Sequence, residues 1–169
     1  MYKIGITLFL VGSLLSCNNP YLSQDEKSFG YKSDSIVLIN LIEKESKAFW
    51  DKDFEKYSEC YAHEDYIRTI GWWQGGGIVV VEGWNERSIR AQQLMNLSSE
   101  PNKNAIQVNR KNVNLRIFDD VAWLTFDQHG VDTNDPLMDM PGLSRETRIF
   151  EKHNGEWKLV YVGWLLEGE

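Results

Sequence analysis

Residues 146–164 read ETRIFEKHNGEWKLVYVGW, and this stretch decides the fold. Two runs of alternating apolar and polar residues flank Asn154 and Gly155. An Asn-Gly pair between alternating runs is the strongest short-range signal for a β-hairpin, because these residues adopt positive φ angles at low cost. The stretch therefore predicts two antiparallel strands, Ser144–Lys152 and Trp157–Leu165, joined by a two-residue turn.

Alternation gives this hairpin two faces of different character. With a two-residue turn, Arg148 lies opposite Tyr161 and Phe150 lies opposite Leu159, on a face that mixes polar and aromatic side chains. Glu146 points the same way as these residues. The other face is more apolar, and the same register predicts three pairs on it: Ile149 with Val160, Thr147 with Val162, and Glu151 with Lys158.

Further strands are predicted before this hairpin. The segments Ile106–Phe118 and Val121–His129 alternate on either side of the turn residues Asp119 and Asp120. The stretches DYIRTIGWWQ and IVVVEGW also have the composition of strands, and three consecutive glycines separate them. Those glycines are not a phosphate-binding loop, because no Lys-Ser or Lys-Thr follows at the required spacing.

Helices are predicted mainly in the first half of the domain. Apolar residues recur at helical spacing after Asp34 or Ser35, either of which can cap the helix. A break near residues 51–53 separates a second, short helix, Phe54–Tyr61. The segment NERSIRAQQLMNL predicts a third helix, capped by Asn85. Helices first and a long antiparallel meander last predict an α+β domain.

The N-terminus has the pattern of a secretory signal. Lys3 precedes an apolar run, Ile4–Leu15, that is shorter than the ~20 residues of a membrane-spanning helix. The residues before and including Cys17 read LLSC, which resembles a bacterial lipobox, in which the cysteine receives a diacylglyceryl group. We therefore expect a lipoprotein signal peptide over residues 1–16 and a lipid anchor on Cys17 in the bacterial cell envelope, outside the cytoplasm. The alternative is an ordinary signal peptide cleaved near a cysteine.

The rest of the chain is organised as one domain behind a tether. Residues 17–33 are polar and aperiodic, and predict a flexible tether, followed by a domain over residues 34–169. The formal net charge of -7 disfavours nucleic acid and anionic membranes as general partners. Once Cys17 is lipidated, Cys60 is the other cysteine, so no intrachain disulfide is predicted.

Four segments together resemble a known family. They read DFEKY from Asp53, VVEGW from Val80, VAWLTFDQ from Val121 and SRETRIFEKHNGEWKLVYV from Ser144. Their order and residues are similar to the NTF2-like (SnoaL-like) superfamily, and most of all to the association, or hub, domain of calcium/calmodulin-dependent protein kinases. The resemblance covers residues 38–163, and no kinase region is present.

The resemblance implies a curved antiparallel sheet wrapped around a long N-terminal helix, forming a cone with a pocket at its open end. It implies homodimers or larger homo-oligomers as well. The family's pocket holds a tyrosine and an arginine at positions that match Tyr57 and Arg148. Two further basic positions of the family fall on Thr125 and Trp164, a departure that argues against a strongly anion-binding pocket.

This placement puts the mixed faces of both hairpins inside the cone. The earlier hairpin carries its mixed face on Asn114, Arg116, Trp123, Thr125, Asp127 and His129. The alternative reverses the faces and leaves the mixed face in solvent. With the mixed faces inside, the predicted ligand-binding residues are Tyr57, Trp123, Thr125, Arg148 and Tyr161.

Two groups of side chains are candidates for chemistry in this pocket. Asp127 and His129 lie two apart on one strand and can act together as a general acid and base, or form a pair at the rim without a catalytic role. Arg148 can receive a carboxylate through its planar guanidinium, or form an internal salt bridge with Glu146 or Asp127. No metal site and no cofactor are predicted, because no second histidine stands at ligand spacing from His63.

Three functions remain open at this point. The first is a lipid-anchored module that binds a small, partly apolar molecule, with or without an acidic group, in the cone. The second is an isomerase, dehydratase or cyclase that works by acid-base catalysis in the same pocket. The third is an oligomerisation module without a ligand. The first is our preferred hypothesis.

Overall fold

A six-stranded curved sheet wraps around the longest helix of the chain. The structure is a computed structural model, and it describes residues 24–73, 75–97, 109–129 and 143–167. The helices within these ranges are α1 (Gln24–Trp50), α2 (Phe54–Ser58) and α3 (Gly83–Met95). The strands are β1 (Arg68–Trp73), β2 (Gly77–Glu82), β3 (Asn109–Phe118), β4 (Val121–His129), β5 (Leu143–His153) and β6 (Glu156–Leu166).

The strand order across the sheet is β2-β1-β6-β5-β4-β3. Neighbouring strands are antiparallel except β1 and β6, which run parallel. The prediction of an α+β domain with a curved sheet around a long N-terminal helix is confirmed. The parallel pair makes the sheet mixed, because the last strand of the chain lies in the middle of the sheet, between β5 and β1.

The β5–β6 hairpin has the predicted turn. Asn154 and Gly155 have φ angles of 53° and 84°, and His153 pairs with Glu156 across the two-residue turn. Such positive angles at both central residues match the right-handed twist of the flanking strands. Two predicted pairs are also confirmed: Phe150 with Leu159 and Glu151 with Lys158.

Beyond these pairs a β-bulge changes the register. The register shifts between Ile149 and Phe150, because β6 contains one extra residue, Val160. Arg148 therefore pairs with Val162 instead of Tyr161, so the predicted pairing is wrong there. A bulge of one residue reverses the alternation of the strand that contains it. The other two predicted pairs beyond the bulge are wrong for the same reason, since Ile149 pairs with Tyr161 and Thr147 with Gly163.

The inner face of the sheet combines a polar stripe of β5 with an apolar stripe of β4. Cross-strand partners share a face, and Arg148 of β5 pairs with Leu124 of β4. The β4 side chains on this face are buried: Ala122 and Leu124 are 0% exposed and Phe126 is 3% exposed. The mixed face of β4 therefore lies outside, and its predicted inward position is wrong. Burying the apolar stripe removes more apolar surface from water than burying the mixed stripe would.

The first helix begins earlier than the sequence predicted. α1 begins at Gln24, ten residues before Asp34, and Tyr31 Oη donates to the Leu115 carbonyl at 3.0 Å. The last part of the predicted tether is therefore helical and contacts the sheet. Asp34 does not cap α1, since its carboxylate accepts from Trp157 Nε1 at 3.0 Å.

The two shorter helices differ less from the prediction. α2 ends at Ser58, three residues before the predicted Tyr61. α3 begins at Gly83, so the predicted cap Asn85 lies inside it. The backbone N–H of Glu82, which precedes α3, donates to the Glu86 side chain at 3.1 Å. A carboxylate of the first turn therefore accepts from the backbone N–H of the residue that precedes the helix.

The core lies between α1 and the inner face of the sheet. Leu38 and Ile42 of α1 are buried against it, together with Leu124, Phe150 and Leu159. The first half of α1 lies beside the β5–β6 hairpin, where Asp34 meets Trp157 and Lys152. The last half passes over the opposite end of the sheet, and there the core gives way to a cavity.

Candidate functional site

The cavity has a volume of about 400 Å³ and lies between the inner face of the sheet and the three helices. This is at the small end of the range for ligand-binding pockets. Aromatic side chains supply much of its wall: Phe49, Trp50, Trp73 and Trp164. Nine polar or charged residues also line it, and four of them form two ion pairs.

The first ion pair joins Arg148 to Glu146 on β5. The two residues stand two apart, so both side chains point to the inner face. Arg148 is 7% exposed, and its Nη1 donates to Glu146 Oε2 at 2.7 Å. The same nitrogen also donates to the Gly163 carbonyl at 3.2 Å, and Glu146 accepts a second bond from Ser144. This is the internal salt bridge to Glu146 that the sequence left open as an alternative.

The guanidinium of Arg148 keeps its charge in this buried position. Burial by itself lowers the pKa of Arg148, but Glu146, Glu45 and Tyr61 raise it, and the net pKa lies above its ordinary value. The ring of Phe126 lies 5.5 Å from the guanidinium carbon. A cation held between a carboxylate and an aromatic ring has its orientation fixed before any ligand arrives.

The second ion pair joins Arg87 of α3 to Glu45 of α1, and sequence reasoning missed it. Arg87 Nη2 lies 3.8 Å from Glu45 Oε1, and Tyr61 bridges the two groups. Arg87 donates to Tyr61 Oη at 2.8 Å, and that hydroxyl donates to Glu45 at 2.7 Å. Arg87 Nη1 also donates to the hydroxyl of Thr69 at 3.1 Å.

A signal for this second pair was present in the sequence. Leu38, Ile42, Glu45 and Phe49 recur at helical spacing, so Glu45 stands on the buried face of α1. A carboxylate on a buried face requires a cationic partner. What the sequence could not show is that the partner is Arg87, 42 positions further along the chain.

Tyr57 lies in the core, beneath the Arg87 guanidinium. It is 0% exposed, its ring centroid lies 4.9 Å from that of Tyr61, and the Arg87 guanidinium lies over its face. Burial raises the pKa of Tyr57 to about 12, so the phenol stays neutral and can donate a hydrogen bond. Its hydroxyl lies near Tyr61 and Arg87 but makes no hydrogen bond of good geometry in the described part of the chain.

Three buried donors of the cavity wall share this lack of a partner. They are Tyr57 Oη, Arg87 Nε and Arg148 Nε, and they are the buried side-chain polar atoms without a partner among the described residues. A buried polar group without a hydrogen bond costs about 1–3 kcal/mol of stability. All three residues line the same cavity, so an acceptor placed there can satisfy them.

The other predicted site residues lie outside this cavity. Thr125, Asp127 and Tyr161 line a separate hollow of about 320 Å³ on the outer face of the sheet. Trp123, on the same face, is 44% exposed, and His129 is exposed at the end of β4. Of the five predicted ligand-binding residues, only Tyr57 and Arg148 line this cavity.

Asp127 takes part in a network that does not reach the cavity. It accepts from Asn112 at 2.6 Å and pairs with Arg145 at 2.8 Å. The bonds from Asn112 and Arg145 hold the pKa of Asp127 below its ordinary value, so this carboxylate is a weak base. The predicted acid-base pair of Asp127 and His129 is therefore not placed at the candidate site. Cys17, the predicted lipidation site, lies outside the described residues.

Trp164 lines the cavity at the position where the resemblance implied a basic residue. Its indole lies against Gly71 of β1, the residue with which it pairs across the parallel strands. A Cβ atom at Gly71 would overlap the indole. Gly71 therefore leaves the space that the indole occupies against β1.

The described part of the chain has no cluster of three His, Cys, Asp or Glu side chains suited to hold a metal ion. None of the helices described is both long and apolar enough to span a membrane.

Comparisons with known proteins bear on the fold. A search of curated protein sequences finds no match. An NTF2-like protein of unknown function from Pseudomonas putida has a TM-score of 0.61 and 17% identity, over 83% of this chain and 89% of that chain. A protein from Thiobacillus denitrificans, named for the calcium/calmodulin-dependent protein kinase type II association domain, has a TM-score of 0.55 and 12% identity, over 72% of this chain and 87% of that chain.

A third structure carries the name of an enzyme. A protein from Parabacteroides distasonis, named as a ketosteroid isomerase, has a TM-score of 0.55 and 14% identity, over 77% of this chain and 85% of that chain. At these identities the three structures establish the fold alone. The sequence profile of the SnoaL-like domain matches residues 39–163, which span most of the chain. The chain therefore belongs to the family of SnoaL-like domains, within the NTF2-like fold.

Proposed function

We propose that this domain binds a small, partly apolar molecule that carries a hydrogen-bond-accepting oxygen. The observation that carries the proposal is the group of three unpartnered donors on Tyr57, Arg87 and Arg148, all in the wall of one cavity. An apolar cavity with a few convergent polar groups is the usual form of a small-molecule site. The aromatic wall supplies the apolar contacts, and the donors fix the orientation of the ligand.

Binding fits the cavity better than acid-base catalysis does. A catalyst that transfers protons needs a carboxylate or a histidine that is free to exchange them. Glu146 is bonded to Arg148 and Ser144, and Glu45 accepts from Tyr61 beside Arg87. None of the three histidines lines the cavity. Acid-base catalysis, which the enzyme names of some structural relatives would suggest, is therefore the weaker alternative for this chain.

We propose that Cys17 carries a lipid that anchors the domain in the bacterial cell envelope. The support is the sequence LLSC after a short apolar run with an N-terminal lysine. Metabolic labelling of the full chain with a radioactive fatty acid is expected to label the wild type but not Cys17→Ser. Equal labelling of both chains, or none of either, would contradict the anchor.

We propose further that a second copy of the chain covers the outer face of the sheet. Apolar side chains on this face are exposed, among them Phe118, Trp123, Trp72, Ile78 and Leu165. A stable interface of this kind buries more than ~1,000 Å². Analytical ultracentrifugation should find a dimer or larger assembly that Trp123→Glu weakens. A monomer at all concentrations would leave the outer face without this role.

Native mass spectrometry of the full chain, purified in mild detergent from its host, tests the binding proposal. We expect a noncovalent adduct of small mass on the wild-type protein. Tyr57→Phe removes one cavity donor and should reduce the adduct. Tyr161→Phe removes a phenolic hydroxyl from the outer face instead and should leave the amount of adduct unchanged.

Two results would contradict the binding proposal. In the first, the wild-type protein carries no adduct, and a small-molecule extract of the host does not change the Tm of the protein. The other is an adduct that Tyr57→Phe and Tyr161→Phe reduce equally.

A further inference from the structure

The cavity has two zones that differ in burial and in charge. The deep zone consists of Tyr57 and the two ion pairs, Arg87 with Glu45 and Arg148 with Glu146. The mouth consists of lining residues that are exposed to solvent: Trp73, Arg90 and Leu94. A ligand that fills the cavity contacts both zones, so its two ends meet different environments.

The deep zone is electrically neutral but still has hydrogen bonds to donate. Two guanidinium groups face two carboxylates, with closest N–O distances of 3.8 Å and 2.7 Å. Bringing a third carboxylate into this buried zone would require its desolvation beside two like charges. An uncharged oxygen avoids both costs and accepts from the same donors, Tyr57 Oη and the two Nε atoms.

The mouth carries one positive charge, on Arg90, that has no ion-pair partner in the described part of the chain. Arg90 follows Arg87 by three residues on α3, so both point to the cavity side of the helix. Arg90 forms no ion pair within the described residues, whereas Arg87, one turn deeper, has Glu45. An anionic group at the mouth can meet Arg90 without being buried.

We infer, resting on the proposed binding function, that the ligand is an elongated monocarboxylic acid with an uncharged carbonyl oxygen at its far end. The carbonyl, of a ketone, ester or amide, enters first and accepts from the donors of the deep zone. The carboxylate stays at the mouth beside Arg90. This orientation is opposite to the sequence-based expectation that Arg148 receives a carboxylate, because Glu146 already neutralises Arg148.

Three naphthalene probes test this orientation with the full chain. Acetylnaphthoate carries an acetyl group and a carboxylate at opposite ends. Naphthoate lacks the acetyl group, and acetylnaphthalene lacks the carboxylate. In calorimetric titration, acetylnaphthoate should bind most tightly of the three. A rising salt concentration should weaken the binding of the two acids but not that of acetylnaphthalene.

Two variants assign the ends of the probes to the two zones. Arg90→Gln should weaken the binding of the two acids by about two- to fivefold, as expected for the loss of an exposed ion pair. The affinity for acetylnaphthalene should not change. Tyr57→Phe should weaken the binding of the two ketones by about three- to tenfold and leave the affinity for naphthoate unchanged. Arg116→Gln and Tyr161→Phe make the same chemical changes on the outer face and should leave all three affinities unchanged.

The results distinguish a failure of this inference from a failure of the proposed binding function. If Tyr57→Phe weakens the binding of naphthoate and Arg90→Gln does not, the carboxylate lies in the deep zone. This result would overturn the inference but not the proposed binding function. Acetylnaphthalene that binds as tightly as acetylnaphthoate would also overturn it. If no probe binds and native mass spectrometry finds no adduct, both the inference and the proposed function are wrong.

Discussion

Arg148 is a buried cation whose partner lies two residues away on the same strand. Its Nη1 bonds to Glu146, and both side chains are almost fully removed from solvent. A buried pair of this kind adds little net stability, but the loss of one partner leaves an uncompensated charge. Arg148 therefore supports the fold as well as the candidate site.

Arg148→Ala should lower the free energy of unfolding by about 3–5 kcal/mol, because Glu146 is left buried without its cation. Urea denaturation monitored by circular dichroism measures the loss. The double variant Arg148→Met with Glu146→Gln removes both charges and should recover most of it. A double variant as unstable as Arg148→Ala would contradict this account.

Tyr57→Phe should stabilise the ligand-free protein while it weakens ligand binding. The Tyr57 hydroxyl is buried without a hydrogen-bond partner among the described residues, so its removal should relieve a cost of about 1 kcal/mol. Thermal denaturation of the ligand-free full chain should therefore show a higher Tm. A lower Tm would mean that the hydroxyl has a partner in the folded protein.

At the scale of the element, α1 and the β5–β6 hairpin place the site. α1 carries Glu45 to the cavity, and β5 carries Glu146 and Arg148. The bulge at Val160 turns Val162 and Trp164 of β6 to the inner side. One extra residue in β6 thus exchanges which side chains of that strand reach the cavity.

Two glycine-to-alanine substitutions test the bounds of these elements in opposite directions. Gly30 lies in α1 with open space around it, so Gly30→Ala should stabilise the protein by about 0.5–1 kcal/mol. Gly155 has a φ of 84° in the turn, so Gly155→Ala should destabilise it by about 1 kcal/mol or more. Urea denaturation of both variants provides the comparison. No gain from Gly30→Ala would argue that α1 begins later, near the predicted Asp34.

At the scale of the whole molecule, burial of two tyrosines makes stability depend on alkaline pH. Burial raises the pKa of Tyr57 to about 12 and raises the pKa of Tyr61 above its usual value. In the unfolded chain both phenols lose their protons near pH 10 (about the ordinary value), while the folded state still holds them. The unfolded state is therefore favoured as pH rises above about 10.

The free energy of unfolding should fall as the pH rises above about 10, by up to about 1.4 kcal/mol per pH unit for each of the two tyrosines. The contribution of Tyr57 to this decline ends near its pKa of about 12. Tyr57→Phe removes one of them and should make this decline shallower. Urea denaturation at a series of alkaline pH values measures the slope. Phe54→Leu removes core contacts but no titrating group, and should keep the wild-type slope. Equal slopes for the wild type and Tyr57→Phe would contradict the assignment.

The sequence by itself determined the features that depend on local pattern. Asn154 and Gly155 specified the turn, alternation specified the strands, and helical spacing specified the core face of α1. The family resemblance placed Tyr57 and Arg148 together, and both line the cavity. Their roles as ligand contacts stay a prediction.

Only the tertiary structure decided which face of each strand lies inside and which charges meet there. The pairing of Leu124 with Arg148 put the mixed face of β4 outside, and the bulge turned Tyr161 away from Arg148. Arg87 reached Glu45 only through the packing of α3 on α1. The physical reason is that register and packing depend on contacts between distant segments, whereas turns and periodicity act within a few residues.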